Sequence, residues 1–130
     1  MGKKFFITGT DTDVGKTYYS VKLLREYAKE GYSTLGIKPI SSGYDADTKI
    51  NDDAKKLYEA SSIKIPIKEI NPFAFRYPIS PNIAAKKEHM ELNVNNIIKE
   101  MDKVIKYNPD IQIIEGVGGW EVPINEKENI

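Results

Sequence analysis

The stretch FFITGTDTDVGKTYYS (residues 5–20) decides how the rest of the chain is read. Apolar and β-branched residues run into a turn of Gly, Thr and Asp, and Gly15-Lys16-Thr17 then opens a run able to form a helix. A helix N-terminus offers unpaired N–H groups and the positive end of its dipole, which suits an anion such as phosphate. Glycine lets the backbone approach closely. A lysine just inside such a helix neutralises phosphate oxygens, and the following hydroxyl can ligate a divalent cation. The usual spacing for this cradle is G-x-x-x-x-G-K-[ST]. Here Thr10 stands at the first glycine position and Gly9 lies one residue earlier.

Working outward, KKFFITG reads as a short buried strand. The spacing of Tyr18, Val21, Leu24 and Ala28 predicts a helix over 16–30 with Gly31 as its stop. STLGIKP reads as a second strand ended by Pro39, and SSGYDADTKIND as a loop. DDAKKLYEAS is expected to be helical with Asn51 or Asp52 as cap. Residues 63–79, broken by prolines, read as extended or irregular chain. SPNIAAKKEH suits a short helix with Ser80 as cap and Pro81 at its first position. Val94, Ile97, Ile98, Met101 and Ile105 form an apolar stripe that predicts a helix over VNNIIKEMDKVIKY. DIQIIEGVGGW reads as a third strand entering a glycine-rich turn. Strands alternating with helices imply a parallel α/β sheet, whose ligands sit at the carboxyl ends of the strands. All three strands end in unusual chemistry: TGTDTDVGKT, KPISSG and EGVGG.

Glu115 ends the third strand, where a carboxylate can hold Mg²⁺ directly or through water. Gly116, Gly118 and Gly119 would admit a phosphate or substrate close to the backbone. Lys38 ends the second strand, where it either stabilises charge developing on a transferring phosphate or snorkels to the surface. His89, the single histidine, reads as a polar helix-end residue, and Trp120 as a wall, a dimer contact or a core residue.

The 130 residues have the size of one ordinary domain. Hydrophobic residues make up 40% and charged residues 29%, which excludes a disordered chain. Nineteen basic residues balance nineteen acidic ones, so no bulk charge draws the chain to nucleic acid or an anionic membrane. The absence of cysteine rules out disulfides and thiolate metal sites and suits the cytoplasm. No apolar run approaches the roughly 20 residues that span a bilayer. MGKKFF turns at once into the polar loop, so it is not read as a signal peptide, and Phe6 stands where myristoylation wants Ser or Thr.

Taken together, GTDTDVGKT, GIKPISSG, the Asp of NDDA, NPFAF with the following SP, and EGVGGWEVP resemble dethiobiotin synthetase, in that order and at fitting separations. The resemblance covers nearly the whole chain. It implies a P-loop NTPase-like parallel sheet flanked by helices, in a homodimeric enzyme. The family uses ATP, Mg²⁺ and CO₂ (or bicarbonate) to close the ureido ring of dethiobiotin on 7,8-diaminopelargonate. By that resemblance Asp13, Val14, Gly15, Lys16, Thr17 and Tyr18 fall on the ATP loop, and Asp53, Glu115, Gly116, Val117 and Gly118 on further ATP-binding positions. Lys38 falls on the active-site lysine and Lys16 is its catalytic companion. Thr12 and Ser42 fall on substrate contacts, and Thr17, Asp53 and Glu115 on the Mg²⁺ ligands, with Asp52 one step from Asp53. YPISP resembles a segment of the substrate groove near the subunit boundary. The family continues beyond NEKENI, so the 130 residues are expected to be the N-terminal portion of a longer domain, without the purine-recognition loops and later strands.

Two other classes share the phosphate loop. A P-loop switch or partitioning ATPase carries an additional lysine near the start of the loop, where Asp11 stands here. A cobyric-acid-synthase-like ligase shares the loop and the acidic strand end, whereas KPISSG favours the diamine substrate.

Overall fold

In the computed structural model, which describes residues 2–7, 13–76 and 81–116, the chain leaves strand β1 (Lys3–Ile7) for helix α1 (Asp13–Lys29) and returns in β2 (Thr34–Ile37). It then forms β3 (Ile40–Ser42), α2 (Asp52–Ala60), α3 (Ile67–Ile70), β4 (Phe73–Phe75), α4 (Pro81–Lys87), α5 (Val94–Asp102), a 3₁₀ turn (Ile105–Tyr107) and β5 (Ile111–Glu115). Among the described residues β1, β5 and β2 make one parallel sheet in that order, and β3 pairs with β4, also parallel, in a second.

β5 lies in the middle of the larger sheet and is buried along its whole length. A parallel strand covered on both faces carries a near-continuous apolar run, and IQIIE fits that. Ile111 and Ile113 pack with Leu24, Leu57 and Ala60 on the α1/α2 face. Ile114 packs with Leu35, Ile37, Ile65, Ile70 and Val104 on the opposite face. A third cluster joins Ile40, Phe73 and Phe75 of the small sheet to Ala84, Leu92 and Ile97. Gly36 sets how closely the helices approach β2: a Cβ there would lie 2.8 Å from Leu24 Cδ1 and 3.2 Å from Leu57 Cδ2.

The α/β layering agrees with the expectation from sequence, and several local readings are corrected. β1, read as a buried strand, lies at the edge of the described sheet with Lys3, Lys4 and Phe6 exposed. α1 begins at Asp13 rather than residue 16, and Leu24 is its fully buried apolar anchor, preceded on the inward side by buried Ser20 and Thr17. Tyr18 is 71% exposed, because the inward stripe runs one residue out of step with the apolar spacing. Residues 63–79 are not all irregular: α3 and β4 lie inside them, each too short to leave a periodic signal. The loop predicted from Ser41 begins later, since Ser41 and Ser42 belong to β3. Finally, α5 stops at Asp102, and Val104 donates to Met101 O in a tightened turn. That turn carries Val104 into the core and leaves Ile105 and Ile98 exposed.

The caps follow the predicted chemistry. Asn51 accepts from Ala54 N at the start of α2, and Pro81 is the first residue of α4. Gly31, at φ 95°, ends α1 while Tyr32 N donates to Tyr27 O, the paired bonding of a glycine-terminated helix. His89 is exposed with φ 56° just beyond α4, in keeping with a helix-end residue.

Candidate functional site

The register of the large sheet brings its strand ends together. Ile7 of β1 pairs with Glu115 of β5, and Ile37 of β2 pairs with Ile114, so Lys38 follows directly beside Glu115. Side chains alternate along a strand. Glu115 therefore shares a face with Ile113, and Lys38 with Gly36, the face that α1 covers.

Three side chains meet there. Thr17 Oγ1 donates to Glu115 Oε1 at 2.8 Å, and Lys38 Nζ donates to the same oxygen at 3.2 Å. Lys16 Nζ donates to Gly116 O at 3.2 Å. Lys38 is 1% and Glu115 0% exposed, and Lys16 and Thr17 are also buried. The alternative of a surface-snorkelling Lys38 is thus overturned. Gly116 N donates to Ile7 O, extending the β1–β5 ladder into the turn. Among the described residues, a Cβ built at Gly15 would meet nothing within 4 Å.

Glu115 Oε2 is buried and accepts no hydrogen bond among the described residues. A buried carboxylate oxygen without a partner is costly, and a hard cation is one partner that would satisfy it. The donor set of a carboxylate and a hydroxyl fits such an ion. Among the described residues no group of three or more His, Cys, Asp or Glu could hold a metal. Mg²⁺ needs no such cage, because it is usually held by one or two carboxylates together with waters and phosphate oxygens.

A groove of about 800 Å³ runs from Thr17 between α1 and α2, lined by Tyr18, Arg25, Asp52, Asp53 and Lys56 among others. Asp53 is half-buried in the first turn of α2, whereas Asp52 is exposed and pairs with Lys56 at 3.2 Å. Ser42 ends β3, opposite Phe75 of β4, on the small sheet. Asp13 and Val14 open α1. Thr12, Val117, Gly118, Gly119, Trp120 and the YPIS stretch lie outside the described residues.

The sequence reading assigned no role to Asn71 or Ser41, although they stand in NPFAF and KPISSG, and these residues carry the chain from the large sheet to the small one. Asn71 Nδ2 donates to Lys38 O at 2.7 Å, and Ser41 Oγ donates to Asn71 Oδ1 at 3.0 Å. Asn51 Nδ2 donates to Gly43 O at 2.7 Å, tying the end of β3 to the start of α2. The available signal was a polar Asn71 set between Ile70 and Phe73 in an otherwise apolar stretch. No helix among the described residues is long and apolar enough to cross a membrane.

A family model describing an AAA domain matches residues 3–130. The chain is 41% identical over 128 residues to a Vibrio campbellii protein named ATP-dependent dethiobiotin synthetase BioD, covering 97% of this chain and 56% of that one. Proteins of the same name from Alteromonas mediterranea (40% over 128 residues, 94% and 55% covered) and Nitrosospira multiformis (39% over 129 residues, 99% and 56% covered) are similar too. The chain spans about half the length of the curated relatives it matches.

Proposed function

The chain belongs to the AAA-domain family whose model covers residues 3–130, and on that premise we propose that it serves the ATP-dependent carboxylation and ring closure of 7,8-diaminopelargonate to dethiobiotin. One observation carries this reading: the Thr17 hydroxyl and the Lys38 ammonium converge on one buried oxygen of Glu115, beside Lys16 at the start of α1. Phosphoryl transfer asks a protein mainly to position groups and to neutralise negative charge, and this cluster is built for both.

In this reading the first turn of α1, with Gly15 and Lys16, takes the β- and γ-phosphates of ATP, flanked by Asp13, Val14 and Tyr18. Thr17, Asp53 and Glu115 would hold Mg²⁺, which supplies positive charge to the phosphates when bound. Thr12 and Ser42 contact the diamine, with Gly116, Val117 and Gly118 lining the loop beyond β5. One amine takes up CO₂ to give a carbamate. The carbamate oxygen attacks the γ-phosphorus, the bond to ADP breaks, and a carbamic–phosphoric anhydride forms. The second amine then attacks the carbamoyl carbon, closes the ring and expels phosphate. Lys38 and Lys16 stabilise the charge that spreads over the transferring phosphoryl oxygens. No side-chain nucleophile is needed, in keeping with a chain that has no cysteine and one histidine. We place the enzyme in the cytoplasm as a homodimer, the state implied by the resemblance to dethiobiotin synthetase.

The test is ADP release by the polypeptide at its native length, supplied with Mg²⁺ and ATP. Release that requires both diaminopelargonate and bicarbonate is the expected result. Equal release without the diamine would contradict it and point to a switch-type ATPase.

A further inference from the structure

The chain must cross from one sheet to another between Lys38 and Ile40, where neither ladder serves its backbone. β2 ends at Ile37 and β3 begins at Ile40, and Pro39 has no N–H to give. Buried carbonyl and amide groups in such a gap need partners. The segment around Asn71 supplies them. Lys38 N donates to Ile70 O at 2.9 Å, and Phe73 N donates to Pro39 O at 2.9 Å. The remaining acceptor, Lys38 O, is met by a side chain, the Asn71 amide at 2.7 Å. The other end of the same amide accepts from Ser41 Oγ at 3.0 Å. Asn71 and Ser41 are both buried, so water does not stand in for either bond.

We propose that Asn71 is a positioning residue: its carboxamide sets the backbone of Lys38, and through Ser41 the register of Ser42, so that both arms of the site are held at a fixed separation. One planar group grips the chain before and after Pro39. Its own place is fixed by Asn71 N donating to Ile67 O at 2.8 Å, where it ends α3. Lys38 is then anchored twice, at its backbone carbonyl by Asn71 and at its ammonium by Glu115. The same clamp carries into β3, where Ser41 pairs with Ala74 and Ser42 with Phe75. A shift of about 1 Å in a reacting group can cost on the order of 100-fold in rate, so a clamp at this point acts on turnover rather than on nucleotide capture.

That Lys38 and Ser42 act on substrate rests on the function proposed above, whereas the clamp does not, and two measurements separate them. With ¹⁵N-labelled lysine, the Lys38 ammonium is expected as a slowly exchanging NMR correlation, because it is buried and bonded to Glu115. That signal is lost in Asn71→Ala. It is also lost in Asn71→Asp, which keeps the volume but removes the donor and covers the case in which the alanine variant does not fold. It persists in Ile97→Val, which loosens the neighbouring core cluster without touching the clamp. An ammonium signal retained in Asn71→Asp, lost equally in Ile97→Val, or absent from the wild-type protein overturns the proposal. In the diamine-dependent ATP assay, Asn71→Asp lowers kcat by ~10–100-fold with KM for ATP unchanged. A raised KM with kcat intact overturns it as well. Loss of the ammonium signal in a protein whose wild type shows no diamine-dependent turnover keeps the clamp and rejects the reaction.

Discussion

Lys38 Nζ lies 3.2 Å from Glu115 Oε1, and Lys56 Nζ lies 3.2 Å from Asp52 Oδ2. The first pair is 1% and 0% exposed, the second 54% and 79%. Equal distances therefore hide unequal physics. The surface pair sits in high dielectric, is screened by salt and costs side-chain entropy to hold. The buried pair has paid the desolvation of two charges, which is recovered only with good geometry and further hydrogen bonds. Among the described residues Thr17 adds a hydrogen bond to Glu115 Oε1, and Glu115 Oε2 accepts none. A buried carboxylate oxygen left unmet is a poor device for stability. It is a good one for receiving a cation, which is the use we propose for it.

The comparison breaks most sharply if the buried pair is halved. Lys38→Met keeps the length of the side chain and removes its charge, leaving Glu115 buried alone with Thr17. We expect a loss of about 3–5 kcal/mol in urea unfolding. Mg²⁺ should restore part of that loss by taking the place of the ammonium, and should restore none in Lys38→Met/Glu115→Gln. A loss below about 1 kcal/mol would put the two pairs in the same class.

Gly36 lies on the same face two residues before Lys38, and it sharpens the comparison by testing how rigid the buried side is. Its absent Cβ is what lets Leu24 and Leu57 close on β2. Gly36→Ala is expected to cost about 1–3 kcal/mol through overpacking, read from the same unfolding midpoint. A neutral result would mean that α1 and α2 can back away from the sheet, and that Thr17 is not held firmly against Glu115. The smallest effect belongs to the surface pair. Asp52→Ala should change stability by no more than about 0.5 kcal/mol, and 0.5 M NaCl should shrink the difference further.

What the sequence disclosed follows the same line between local and distant causes. Gly15, Lys16 and Thr17 were legible because a strand, a turn and a helix start are contiguous. Glu115 and Lys38 were legible as charges ending apolar strands, and the sheet register joins them across 77 residues. The role of Asn71 was not, since its partners Lys38 and Ser41 lie 33 and 30 residues away and no local period marks it. β3 and β4 escaped for a related reason: three residues each give no alternation to count, and each exists because the other does. Tyr18 was misplaced because apolar spacing alone put it on the inward face, whereas Thr17 and Ser20 are the buried residues there. Thr17 takes an inward position on α1 because its hydroxyl reaches Glu115.

The central claim is that the start of α1, with Lys16 beside the Lys38–Glu115–Thr17 cluster, binds a polyphosphate together with a divalent ion. Calorimetric titration of MgATP into the wild-type protein and into Lys16→Ala tests it most directly. The account predicts binding that requires Mg²⁺ in the wild type and is lost in the variant. Equal binding by both, or wild-type binding indifferent to Mg²⁺, would contradict it.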